Sequence, residues 1–147
     1  MADLTQDEAD SLIAMRKVRE NDDQHIYPIL QRTLVVPLIS EDRRESFSLD
    51  LHAGKIKLSK ATIQNRARQV IVLVRLDLDG APHRNPDGEE IPCPHLHIYR
   101  VGFADKWAIP SPTDRFSNLT DRWQTLIDFM DYCTIVDPPK FQRGLLP

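Results

Sequence analysis

The chain has only two cysteines, Cys93 and Cys133, too few and too far apart to make a disulfide framework. It has no run of about eighteen apolar residues, so no membrane-spanning helix is predicted. It has no basic excess either. The formal net charge of −3 gives no global electrostatic footprint for nucleic acid, although a local basic patch stays open. The opening Met1-Ala2-Asp3-Leu4-Thr5-Gln6-Asp7-Glu8 is acidic and lacks the basic and apolar regions of a signal peptide. Free thiols in a reducing cytosol, and hence a cytoplasmic protein, are the expectation. Internal repeats and low-complexity tracts are also missing.

What is present suits one globular domain over residues 1–147. A content of 41% hydrophobic and 28% charged residues is too apolar for disorder, and the length suffices to bury one core. Thr5 followed by Glu8 forms a capping box, which predicts a first helix with Ala9, Leu12, Ile13 and Met15 as its apolar stripe. That helix is expected to end before the polar linker Asn21-Asp22-Asp23. Residues 29–39 are β-rich, with Pro37 favouring an edge strand or a break. Phe47, Leu49 and Leu51 alternate with Ser46, Ser48, Asp50 and His52; with a turn at Ala53-Gly54 and Ile56 and Leu58 beyond it, residues 46–59 read as a hairpin. Segment 60–69 is polar and basic without clear periodicity, and reads equally as a strand extension or a loop. Val70–Leu78 is the best central strand, closed by the turn signal Asp79-Gly80.

Ala81 to Pro94 carries Pro82, Pro86, Pro92 and Pro94 around an Asp87-Gly88 turn, and reads as a rigid irregular excursion without strand. A strand follows at His95–Arg100. Leu119, Trp123, Leu126, Ile127, Met130 and Cys133 then predict a last helix capped by Asn118 or Thr120 and stopped by Pro138-Pro139. The resulting fold class is α+β: a twisted antiparallel sheet of four or five strands, packed on one side by an N-terminal and a C-terminal helix.

The chemistry is concentrated in residues 83–99. On a strand, His95, His97 and Tyr99 share one face. Antiparallel pairing with Val70–Leu78 would set Arg75 and Asp77 opposite them, with His83 and Arg84 folding over the end. Such a set is equipped for acid–base work, in which imidazole moves a proton, a carboxylate orients it and arginine steadies an anion. His95 and His97 would act as acid and base, His83 as auxiliary, Asp77 as orienter and Arg75 or Arg100 as anion stabiliser. The same His-x-His suits a metal site if His83, Asp77, Cys93 or a distant group supplies the third ligand, and the identity of any metal or cofactor stays open. A third reading is a binding surface for another protein, with Arg84, Asn85, Asp87 and Trp107 as contacts. A solvated sheet face, its histidines bonded only to neighbours, competes with all three. Lys55, Lys57, Lys60, Arg66 and Arg68 form the one segment able to grip a phosphate backbone.

The run Arg75-Leu76-Asp77-Leu78-Asp79-Gly80, Pro82-His83, Asn85-Pro86-Asp87-Gly88-Glu89 and Cys93-Pro94-His95-Leu96-His97-Ile98-Tyr99-Arg100 resembles a family of small bacterial and prophage-borne proteins of unknown function. The likeness extends to Leu4-Thr5-Gln6, Asp105-Lys106-Trp107-Ala108 and Asp128-Phe129-Met130. It implies a bacterial cytosol and a link with mobile elements, where small proteins are often inhibitors, toxins or antitoxins. The leading expectation is thus an interaction module that binds a macromolecular partner through the polar sheet face and proline-rich loop; the alternative is a histidine-dependent hydrolase or ribonuclease-like toxin.

Overall fold

A computed structural model of the chain describes residues 3–27, 32–54 and 60–143. Helix α1 (Gln6–Ala14) begins at the capping box: Thr5 Oγ1 accepts from the Glu8 N–H, and the Glu8 carboxylate accepts from the Thr5 N–H, each at 3.1 Å. After Met15 the chain turns into β1 (Lys17–Arg19) and then β2 (Gln24–Ile26), both too short to carry a readable period. The buried Lys17 ammonium donates to the carbonyls of Ile13, Met15 and Cys133, so it closes the end of α1 against the end of the last helix.

Strands β3 (Thr33–Ser40), β4 (Ser46–Ala53), β5 (Ala61–Ala67) and β6 (Ile71–Asp77) form an antiparallel meander. β4 alternates as its sequence requires, with Phe47, Leu49 and Leu51 buried. β4 pairs with β3 on one side and β5 on the other; Ile56 and Leu58, the second arm of the hairpin expected over 46–59, lie outside the described residues. Segment 60–69 does have a period of two. Its inward positions are Ala61, Ile63, Asn65 and Ala67, three of them too small or too polar to stand out as an apolar row. Pro37 is accommodated where β1 has just ended. Its carbonyl accepts from Glu20 at 3.3 Å, and no ladder bond toward β1 is required of its nitrogen.

The proline-rich excursion is not free of strand. β7 (His83–Arg84) and β8 (Glu90–Ile91) pair as a two-residue ladder around a turn in which Gly88 adopts φ 92°. β9 (His95–Ile98) then pairs with β6, and β10 (Ala108–Pro110) with β9. Helix α2 (Arg122–Tyr132) is capped by Asp121, whose carboxylate accepts from Gln124 N–H at 3.0 Å; Asn118 and Thr120, the expected caps, bond each other instead. Leu126, Met130 and Cys133 are buried as the stripe predicts, Phe129 is buried beside them without having been expected, and Ile127 is exposed. The chain continues past α2 into β11 (Ile135–Asp137) and, beyond Pro138-Pro139, β12 (Lys140–Gln142), neither foreseen.

Among the described residues the large sheet has eight strands in the order β10-β9-β6-β5-β4-β3-β1-β11, not four or five, and its β1–β11 pair is parallel. The excess comes from three-residue strands at both margins. Leu12 of α1 and Phe129 of α2 belong to one core with Leu49, Ile63, Leu76 and Leu96. Both helices therefore cover the apolar face, and the polar face of β4, β5, β6 and β9 is left to other work.

Candidate metal centre

Register converts this alternation into two rows of polar side chains across the sheet. Thr33, His52, Thr62, Asp77 and His95 are successive cross-strand partners; Asp50, Gln64, Arg75 and His97 form the row beside them. Side chains opposite one another across a ladder stand close enough to bond directly. The rows use this: Thr33 meets His52 at 2.7 Å, Thr62 donates to Asp77 at 3.1 Å, and Gln64 donates to Asp50 at 2.7 Å.

The histidine end is the most convergent. His95 Nε2 lies 3.1 Å and His97 Nε2 3.2 Å from the same oxygen, Asp77 Oδ2. Both rings are buried and both are held from behind. His97 Nδ1 lies 2.8 Å from the main-chain oxygen of Asp105, which can only accept, so that nitrogen carries the proton. Its Nε2 lies 3.0 Å from Arg75 Nη2, which can only donate, so the Nε2 lone pair points into the cluster. His95 Nδ1 likewise faces the Ile91 carbonyl at 3.2 Å, which turns its Nε2 to Asp77. The other Asp77 oxygen accepts from Thr62 and faces Arg75 Nε at 3.3 Å. Burial pulls the Asp77 carboxyl upward, but the adjoining imidazoles of His97 and His95 and the charge of Arg75 outweigh it and hold the pKa at about 2.

Two imidazoles whose far nitrogens are anchored on carbonyls, with a carboxylate whose far oxygen is anchored on a hydroxyl, make a ligand set with its outer partners in place. Ligands about 2.0–2.2 Å from one ion stand about 3 Å from each other in tetrahedral or octahedral geometry, and the two nitrogen–oxygen separations match. The three candidate ligand atoms all lie within 4.8 Å of one another. Two nitrogens and one oxygen suit zinc or another late divalent ion and not magnesium or calcium. Asp77 and His95 open on a cleft of about 760 Å³ that Thr62, Lys60 and Cys93 also line.

His83 does fold over this end: its ring centroid is 4.5 Å from that of His97 and 6.0 Å from that of His95, and its Nε2 donates to the Lys106 carbonyl at 2.7 Å. Tyr99 does not join. β9 stops at Ile98, so alternation no longer governs, and the Tyr99 hydroxyl accepts from Leu4 N–H at 3.0 Å within the core. Arg100 stacks on Trp107, 4.0 Å from the ring centroid, and that ring also meets Phe103. Arg84 pairs with Glu90 at the exposed tip, and Asp87 accepts from the Glu89 N–H. Asn85, expected as a contact, is buried: its amide donates to the Ala108 carbonyl and accepts from the Ala108 N–H, both at 2.8 Å. Cys93 reaches the cleft, but burial first, then Asp77 and Asp79, push its pKa upward, against a nucleophilic thiolate. In the basic segment, Arg66 pairs with Asp50 and Arg68 with Glu45, while Lys55 and Lys57 lie outside the described residues.

Asp105 and Thr62 escaped notice in the sequence. Thr62 sits on the strand whose period was masked by small residues, and Asp105 acts partly through its main chain, which no side-chain pattern announces.

The chain belongs to the family of unknown function DUF6978, whose family model matches residues 4–135. No curated protein and no solved structure matches it.

Proposed function

We propose that the protein is a divalent-metal enzyme of the hydrolytic class, with His95, His97 and Asp77 as ligands of a single zinc-like ion. The observation that carries the reading is the meeting of both histidine Nε2 atoms at one Asp77 oxygen, each Nδ1 being tied to a main-chain carbonyl. Three protein ligands leave coordination positions for water and substrate, the pattern of catalytic and not of structural zinc. An ion so placed lowers the pKa of a bound water and polarises a substrate carbonyl or phosphoryl oxygen. The cleft beside Asp77 and His95 is where that substrate would enter.

Titration with Zn²⁺ and with Co²⁺, whose visible bands report coordination, tests this directly. One ion per chain is expected, with binding lost in His97→Ala and in Asp77→Asn while circular dichroism stays that of the parent. A parent protein with no saturable binding of either ion sinks the proposal.

The macromolecular-interaction reading keeps one observation of its own, the exposed Arg84–Glu90 pair and Asp87 on a rigid tip. It requires that Arg84→Ala abolish partner capture and that His97→Ala leave it intact, the opposite of a metal-centred function.

A further inference from the structure

Arg75 occupies a place that a metal-binding site would not ordinarily give to a cation. Its Nη2 donates into the Nε2 lone pair of His97 at 3.0 Å, and its Nε stands 3.3 Å from Asp77 Oδ1. Its third contact points elsewhere, since Nη1 donates to Asp105 Oδ2 at 3.0 Å. The guanidinium therefore straddles two carboxylates, one inside the proposed ligand set and one outside it. A lone pair serves one partner at a time. An ion on His97 Nε2 must take it from Arg75, and the released charge has an anchor ready in Asp105.

We infer that Arg75 is a built-in competitor of the metal, holding His97 and Asp77 in place until an ion takes them and the guanidinium passes to Asp105. This rests on the metal reading above. Two consequences set it apart from a merely structural arginine. Removing the charge should tighten metal binding, because the competing donor and a like charge beside the ion both disappear. Removing the second anchor should weaken binding, because Arg75 is then left wholly to the ligands. Asp105 keeps its main-chain carbonyl in any side-chain variant, so the support of His97 Nδ1 survives the second change.

The experiment compares Zn²⁺ and Co²⁺ affinity of the full chain with that of Arg75→Gln and Asp105→Asn. Changes in the groups around metal ligands typically alter affinity about ten- to a hundredfold. Tightening of that order is expected for Arg75→Gln, with Co²⁺ bands of the same position as the parent's, and weakening of that order for Asp105→Asn. Metal binding by the parent with Arg75→Gln unchanged or weaker overturns the competition and leaves the metal reading standing. Binding by Arg75→Gln alone overturns both proposals, because a guanidinium that no ion displaces leaves the parent without a metal. Absence of binding in both overturns both proposals. Should Arg75→Gln fail to fold, Asp105→Asn decides: weaker binding supports the competition, equal or tighter binding overturns it.

Discussion

Thr62 and Asp77 face each other across the β5–β6 ladder, and the Thr62 hydroxyl donates to the Asp77 oxygen that the histidines do not use. That bond fixes the rotation of the carboxylate, and so decides which oxygen is offered to His95 and His97. Replacing Thr62 with valine keeps the shape and removes the donor. Metal affinity should fall about tenfold, the lower end for loss of a group behind a ligand. Stability should fall by about 1 kcal/mol, the usual net worth of one hydrogen bond. Calorimetric titration beside urea denaturation checks both, and unchanged affinity would show that Thr62 does not orient the carboxylate.

Asn85 ties the proline-rich excursion to β10 through both ends of its amide. Alanine there leaves the Ala108 N–H and carbonyl buried without partners, which costs about 1–3 kcal/mol each when unrelieved. A loss of about 2–4 kcal/mol is expected in urea denaturation, together with faster proteolysis within 81–94. Equal protease resistance in Asn85→Ala would mean that the two-residue β7–β8 ladder holds the excursion by itself.

Much of this site was legible from the sequence for one reason: the period of a strand is rigid. Once residues 70–78 and 95–100 read as strands, pairing them put Arg75 and Asp77 on the face of His95 and His97; the ladder adds the register, Asp77 opposite His95 and Arg75 opposite His97. The reading failed where that rigidity ends. Tyr99 lies one residue past β9 and turns to Leu4, and Asn85 looked like a loop contact because its partner, β10, is a three-residue strand too short to foresee. The strand count failed for the same reason, since β1 and β11 are stabilised by contacts distant in sequence and not by local pattern. No property of a sequence row says whether two imidazoles carry their protons toward or away from a carboxylate; that depends on where the carbonyls of Ile91 and Asp105 fall.

Tyr99→Phe separates the core from the site. The phenol loses its bond to the Leu4 N–H, so about 1 kcal/mol of stability should go. Zn²⁺ affinity should stay at the parent value. A large drop in affinity would return Tyr99 to the cluster from which the geometry removes it.

Lys17 and Cys133 give the fold a pH profile independent of the metal site. Burial holds the Lys17 ammonium down at about 8, against an ordinary 10.5. Between those values the unfolded chain binds a proton that the folded chain does not, and stability rises with pH. Burial pushes the Cys133 thiol up to about 12 from 9.0, with Lys17 opposing, so above pH 9 the folded chain keeps a proton that the unfolded chain has released, and stability falls. The two slopes cancel from about 9 to 10.5. The urea midpoint should therefore climb from pH 8 to 9 by the equivalent of on the order of 1 kcal/mol, level off, and drop beyond 10.5, where the hydroxyls of buried Tyr27 and half-buried Tyr132, also raised chiefly by burial, add to the fall. Cys133→Ala removes the opposing slope, so in that variant the climb should continue to about 10. Lys17→Met, close in volume, leaves the Ile13, Met15 and Cys133 carbonyls without their donor and should cost about 2–3 kcal/mol at pH 7. The same variant should abolish the climb. A midpoint that still rises from pH 8 to 9 without Lys17 would assign the profile to another group.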